Sequence, residues 1–534
     1  MVLTVMLAAC ASGPAPQTVI VNAKVFTANA AQPWAQAIAI RGDRIIAVGD
    51  TASIDAMARS DTRRIDAGGR TIVPGFNDAH QHIGIAPPNE RLQMPFDPTP
   101  GQVADAIRAI VMTAPPGRLI QGEIGMSAWG DAAFTRRWLD ALAPDHPVRL
   151  FNFTGHGTLL NSRALALVGI DEGVADPEGG RYGRDAQGRL DGRVEEYANY
   201  FVDRALALKT DRADAIAAVR RFAAEAQQFG VTSVQLMSVA LPAADVAAQL
   251  VEARLPLRWK VYRFPMPVAG GDTIDSRPVL PPQPSPLIDM RGMKWILDGT
   301  PVERLAALRA PYADAPAQRG RVNFATDRID QFVGWAYGSE DPLAVHVVGD
   351  AAIDAYVSAV ERGGLAEVWR TKRPRIEHGD MLAPDLIARV KSLGMVVVQN
   401  PIHFTLAPIL AERLGPERMA WLQPMKSLLE AGIPLAIGSD GPVNPFLNIM
   451  AATTHPANPK EALTREQAVI AYTAGAAFAE FKEKETGQLA AGMLADLAVL
   501  SADLFTVPAQ ELPSLTSVLT IIGGKIVHDN GSIH

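Results

Sequence analysis

The sequence predicts an α/β chain built on a (β/α)8 TIM barrel, with a small β-sandwich domain formed from both chain ends and an insertion after barrel strand 1. Three observations carry this expectation. Eight short apolar runs, most separated by helical patterns, fall between residues 71 and 484. Strand-and-turn texture occupies both ends, at 18–70 and again at 485–534. The stretch between the first and second runs, about 85–200, is far longer than one crossover helix requires.

The N-terminal texture consists of Thr18 to Thr27, Ala37 to Ile40, Arg44 to Val48 and Arg63 to Ile65, punctuated by Arg41-Gly42-Asp43 and Gly49-Asp50, and reads as a small antiparallel sheet. Its C-terminal counterpart is Asp496 to Leu500, Ser517 to Ile522 and Lys525 to His528, with Gly523-Gly524 as a hairpin turn. The eight barrel runs are Thr71 to Asn77, Val231 to Leu236, Trp259 to Phe264, Gly292 to Leu297, Leu343 to Val348, Arg375 to Glu377, Met395 to Gln399 and Pro434 to Gly438. Runs of this kind, buried on both faces and alternating with helices, close into a barrel whose functional groups lie at the C-terminal strand ends. The insertion carries its own strand-like runs, Leu119 to Glu123 and Val148 to Phe153, and Glu178 to Arg193 reads as a mobile loop or hairpin. A Pro-rich excursion, Arg277 to Pro286, precedes the fourth barrel run.

Composition narrows the partners. With 57 acidic and 50 basic side chains the net charge is −7, so there is no excess positive field to hold nucleic acid. The single cysteine, Cys10, excludes an internal disulfide framework and a cysteine-based zinc site. Residues 1–17 read as a lipoprotein signal and tether, because Leu7-Ala8-Ala9-Cys10 resembles a lipobox. The expectation is a periplasmic protein with membrane attachment through a lipid on Cys10. A frayed cytoplasmic N-terminus is the alternative, favoured by the short apolar run and by the lack of any Lys or Arg before it.

The candidate chemistry begins at Pro74-Gly75-Phe76-Asn77-Asp78-Ala79-His80-Gln81-His82, where a strand ends in His-x-His. In extended backbone alternate side chains share a face, so both imidazoles can reach one metal ion. Alone the pair is weak, since turn histidines are common. Its weight comes from the other positions: Lys294 in the fourth run, His346 in the fifth, His378 at the end of the sixth and Asp440 just past the eighth. Barrel closure brings the eighth run against the first and gathers His80, His82, Lys294, His346, His378 and Asp440 at one mouth, where isolated core histidines would scatter. These ligand types suit a hydrolytic metal.

This order resembles the binuclear amidohydrolase superfamily, and within it the amidohydrolase 3 group that includes N-substituted formamide deformylase. The matching segments are Gly155-His156 with Asn161-Ser162-Arg163-Ala164-Leu165, Lys294 through Asp298-Gly299, Pro311-Tyr312-Ala313-Asp314 and His346-Val347-Val348-Gly349-Asp350. Further along they are Arg375-Ile376-Glu377-His378, Gly438-Ser439-Asp440-Gly441-Pro442-Val443 and Ala491-Gly492-Met493-Leu494-Ala495-Asp496-Leu497. The resemblance implies one metal on His80, His82 and Asp440, a second on His346 and His378, and Lys294 bridging two zinc ions as a carbamate. An ammonium has no lone pair for a metal, whereas a carboxylated lysine presents two anionic oxygens. An uncarboxylated Lys294 paired with Asp298 or with a substrate carboxylate would leave a single-metal site.

The expected reaction is hydrolysis of a non-peptide C–N bond (amide, N-formyl or cyclic amide) by metal-bound hydroxide, with Asp440 as general base. A metal-dependent esterase or lactonase would carry the same residues, and a non-catalytic binding lipoprotein is the alternative of another class. His156 is a candidate for polarising the scissile carbonyl, against a structural role in the insertion. Asp298 and Asp350 are expected to orient an imidazole or the lysine. His403 follows the seventh run in Gln399-Asn400-Pro401-Ile402-His403, where Asn400 departs from the Gln-Pro-x-His pattern of the group, and it is left out of the catalytic set. His146, His455, His528 and His534 read as solvated or structural.

Overall fold

A computed structural model describes residues 15–266 and 281–533. The lipobox and Cys10, and residues 277–280 of the Pro-rich excursion before the fourth barrel strand, lie outside the described residues. No described helix is long and apolar enough to cross a membrane.

The two chain ends build two sheets. In the four-stranded one, Thr18–Val21 pairs antiparallel with Ala37–Arg41 and parallel with Arg63–Asp66, so the N-terminal segment is mixed where the sequence suggested a purely antiparallel sheet. In the six-stranded one, Leu497–Leu500 lies between Ser517–Ile522 and Thr71–Pro74, which joins residues from opposite ends of the chain in one ladder. Ile20, Val25, Ile38, Ile72, Leu497 and Val518 meet in a shared apolar core.

The run Thr71 to Asn77, read as one barrel strand, is divided. Thr71–Pro74 belongs to the terminal sheet, and the barrel begins only at Phe76–Gln81. The reason is local: Pro74 has no N–H to continue a ladder, and a Cβ at Gly75 would collide with the side chain of Thr232. Periodicity does not reveal the break, because both halves are fully buried.

The barrel strands follow in order as Phe76–Gln81, Val231–Ser238, Arg258–Arg263, Met293–Ile296, Leu343–Val347, Arg375–His378, Val396–Gln399 and Leu435–Ile437, each parallel to the next. Runs such as Val396-Val397-Val398 suit strands covered on both faces. Helices cover the outside; Asp350–Arg362, for example, buries Ile353, Tyr356, Val357 and Val360. The eighth strand meets the first through side chains and loop backbone. Ser439 N–H donates to Asp78 Oδ1 (2.8 Å), Gln81 Nε2 donates to Ser439 Oγ (2.6 Å), and Asp440 N–H donates to His80 O (2.9 Å). A Cβ at Gly438 would overlap the backbone of His80, so this approach needs glycine.

The insertion is a folded unit. Its six-stranded sheet runs Gly180–Arg184, Leu190–Glu196, Gly157–Leu160, Val148–Asn152, Leu119–Ile124, Asn89–Arg91 in spatial order, with apolar cores of its own. Glu178 to Arg193 is mostly a hairpin, turned through Asp185 N–H donating to Arg189 O (2.8 Å).

Candidate metal centre

The C-terminal strand ends bring the six predicted ligand positions to one mouth. His82 Nε2 lies 3.4 Å and His80 Nε2 3.9 Å from Asp440 Oδ1, and His378 Nδ1 lies 3.7 Å from Asp440 Oδ2. Lys294 Nζ is 3.3 Å from His80 Nε2. The His346 ring sits 4.4 Å from that of His378, and His80, His378 and Asp440 each offer a ligand atom within 4.8 Å of the others.

Several imidazoles are fixed by what their second nitrogen touches. His80 Nδ1–H donates to Glu377 Oε2 at 2.6 Å, and His82 Nδ1–H donates to the Met237 carbonyl at 3.0 Å. Asn400 Nδ2 donates to Gly438 O (2.9 Å), which turns its Oδ1 towards His378 Nδ1–H at 2.8 Å. These bonds occupy Nδ1 and leave Nε2 as the ligating nitrogen, which at His80 meets Lys294 Nζ. His346 Nε2 is buried and has no hydrogen-bond partner, being 3.9 Å from Asp298 Oδ1. Burial holds the pKa values of His80, His346 and His378 below the ordinary imidazole value, which keeps them neutral. Burial alone would raise the Asp440 carboxyl, but His80, His403, His82 and His378 together hold it well below the usual range. Neutral imidazoles, one orphaned nitrogen and a carboxylate form a donor set that fits a divalent cation.

Lys294 is fully buried, and burial outweighs the pull of Glu377 and Asp440 to bring its pKa down to about 8. Beneath the ligands, Arg375 donates Nε to Glu377 Oε1 (2.7 Å) and Nη2 to Glu377 Oε2 (3.0 Å) and to Ala79 O (2.8 Å). Its Nη1 donates to Tyr262 Oη (2.7 Å) and to Gln235 Oε1.

His156 arrives from the insertion, its ring 4.7 Å from that of His346 and its Nδ1–H donating to Glu196 Oε1 at 3.0 Å. Burial alone would lower its pKa, but Glu196 and Glu303 raise it. His403, set aside in the sequence, belongs to the mouth: Nε2 is 3.6 Å from Asp440 Oδ2 and Nδ1 is 3.6 Å from Asp380 Oδ2.

Asp298 and Asp350 differ from expectation. Asp298 accepts from the backbone N–H groups of Ala307, Val348 and Gly349 at 2.9, 3.0 and 2.9 Å, and Asp350 accepts from Arg309 N–H at 2.9 Å. Their oxygens hold loops because these N–H groups, left unpaired past the strand ends, need acceptors. His146 and His455 bond main-chain groups away from the mouth.

Glu377 and Asn400 do the orienting work expected of those aspartates. The local sign for Glu377 was an Arg-x-Glu pair within an otherwise apolar strand, where i and i+2 share a face. For Asn400 it was the departure from the Gln-Pro-x-His pattern itself. Asn400→Ala is expected to weaken metal binding about 10–100-fold, read by chelator competition; unchanged affinity would remove Asn400 from the support of His378.

Comparison with known proteins places the geometry in context. The model of a family described as the amidohydrolase family matches residues 63–528. N-substituted formamide deformylase of Arthrobacter pascens is 28% identical over 546 residues, covering 96% of this chain and 98% of its own. Putative amidohydrolase YtcJ of Bacillus subtilis is 27% identical over 502 residues, covering 88% and 91%. The crystal structure of an uncharacterized metal-dependent hydrolase from Pyrococcus horikoshii superposes with a TM-score of 0.73 at 22% identity, covering 92% of this chain and 99% of that one.

Proposed function

This chain belongs to the amidohydrolase family and is a metal-dependent hydrolase; from that premise we propose that it cleaves a non-peptide C–N bond (amide, N-formyl or cyclic amide) in a small molecule. The observation that carries this reading is Asp440, an anionic carboxylate ringed by His80, His82, His378 and His403. The similarity to a formamide deformylase favours C–N over C–O cleavage.

In this reading His80, His82, His346, His378 and Asp440, with Lys294 as a carbamate, would hold the divalent metal, and their nitrogen and oxygen donors suit zinc. Once bound, the metal would supply Lewis acidity and lower the pKa of water towards ~7. Asp440 accepts the proton of the attacking water as the C–O bond forms. It then delivers that proton to the nitrogen as the C–N bond breaks, so the amine leaves neutral. His156, with Nδ1–H spent on Glu196, turns Nε2–H to the carbonyl oxygen, where negative charge develops.

The test is a panel of amides, N-substituted formamides, cyclic amides, esters and lactones, assayed with protein stripped of metal and then reloaded with zinc. Metal-dependent turnover of a C–N substrate is expected. Turnover of esters or lactones alone would replace the bond type, and tight binding without turnover at full metal occupancy would overturn the enzymatic reading.

The Lys294 carbamate carries its own pH prediction. Only the neutral amine reacts with CO2, and with a pKa near 8 about a tenth of Lys294 is neutral at pH 7. At a fixed concentration of dissolved CO2, activation of stripped protein by zinc is therefore expected to accelerate as pH rises through about 8. Activation that ignores dissolved CO2 would refute the carbamate.

A further inference from the structure

Glu196 is a buried carboxylate in a backbone conformation that L side chains rarely adopt, φ 54° and ψ −126°, at the junction of strand Leu190–Glu196 and helix Tyr197–Ala207. Such conformations persist only where surrounding contacts over-determine them, and they cluster at functional sites. Here the contacts converge on one residue. Glu196 N–H donates to His156 O at 3.0 Å, and Glu196 Oε1 accepts from His156 Nδ1–H at 3.0 Å, so main chain and side chain grip the same histidine.

The remaining oxygen reaches the barrel. Glu196 Oε2 accepts from Asn323 Nδ2 at 3.0 Å, and Asn323 N–H donates to Leu297 O at 2.6 Å, just beyond the strand that carries Lys294. Next door, Tyr197 Oη accepts from Ile296 N–H at 3.2 Å. Asn199 Nδ2 donates to Gly155 O at 2.8 Å, and Thr154 Oγ1 donates to Glu303, so the loop before His156 is tied down on both sides.

We propose that Glu196 is a positioning residue: it ties the insertion to the end of the fourth barrel strand and holds the His156 ring with Nε2 free for the substrate carbonyl. The inference rests on the role given to His156 under Proposed function. Glu196 itself touches neither metal nor substrate.

Glu196→Gln separates positioning from packing. Glutamine keeps the shape but has one acceptor oxygen, while two donors, His156 Nδ1–H and Asn323 Nδ2–H, converge there. The experiment is a double-mutant cycle of Glu196→Gln with His156→Ala, read as kcat, KM and metal content on the best substrate of the panel. Glu196→Gln alone is expected to lower kcat about 10–100-fold, as for loss of a partner that orients another group, while KM and metal content hold. In the His156→Ala background the same substitution is expected to change kcat less than threefold. Equal losses in both backgrounds, or near-wild-type kcat in Glu196→Gln, would overturn the proposal.

If Glu196→Gln fails to fold, Glu196→Asp, which keeps the charge but is one methylene shorter, takes its place in the cycle. Crystal structures of the wild type and the Glu196 variant read the positioning without turnover. A His156 ring that leaves its place beside His346 in the variant supports the inference, and an unmoved ring sinks it. An inactive wild type would count against the proposed reaction alone.

Discussion

Asp440→Asn is expected to lower kcat by about 10²–10⁴-fold, the range that a positioned general acid–base group contributes. The substitution is clean because Asp440 lies at φ 44°, in the left-handed region where asparagine is among the best tolerated residues. The backbone should therefore stay in place, and Asp440 N–H can go on donating to His80 O. What disappears is the proposed proton acceptor, and with it one of the proposed metal ligands. Activity must be normalised to metal content, measured on the same sample. Wild-type turnover per bound metal would show that the proton goes elsewhere, and His403, 3.6 Å from Asp440 Oδ2, would be the next group to examine.

The second large effect concerns stability. Arg375→Met removes a fully buried cation and leaves Glu377 uncompensated, a loss of about 3–5 kcal/mol for breaking a buried pair. Arg375→Lys should recover little, since an ammonium cannot reproduce the fork that spans both oxygens of Glu377, Ala79 O, Tyr262 and Gln235. Denaturant midpoints measure the loss; a midpoint within about 1 kcal/mol of wild type would refute it. The pH dependence follows from Glu377, which burial would raise but which Arg375 and His80 hold well below the ordinary glutamate value. A carboxyl lowered in the folded state contributes stability that is present above its unfolded pKa of about 4.5 and is lost as pH falls through the folded value. Without Arg375 the folded value moves up, so the acid-induced loss of stability in Arg375→Met should begin at higher pH.

Much of the fold was legible because barrel strands carry a strong local pattern. Met395-Val396-Val397-Val398 reads as a strand in isolation, and Gly523-Gly524 reads as a turn. His80, His82, His346, His378 and Asp440 were legible by position, because the ends of consecutive parallel strands converge whatever lies between them. Partnerships across long separations were not. His80 and Glu377 are 297 residues apart, and nothing near either residue announces the other. Asn400 looked like a disruption of a pattern because its two partners, His378 and Gly438, lie on neighbouring strands. The break at Gly75 was hidden for the opposite reason: two strands of different sheets share one apolar run. Glu196 lies three residues past the charged stretch Glu178 to Arg193, with no local pattern to mark it, and only the fold of the insertion puts it in the interior.

The seam between the first and eighth barrel strands also sets a clock. Asp78 and Ser439, which clasp there, are separated by 361 residues. At a synthesis rate of about 5–20 residues per second, the eighth strand follows the first by roughly 20–70 s. Throughout that interval His80 and His82 exist without Asp440, and the first strand has an open edge. The nascent chain must therefore pass through a stage in which only part of the proposed centre has been made, and the full set of proposed ligands exists only when the last strand arrives.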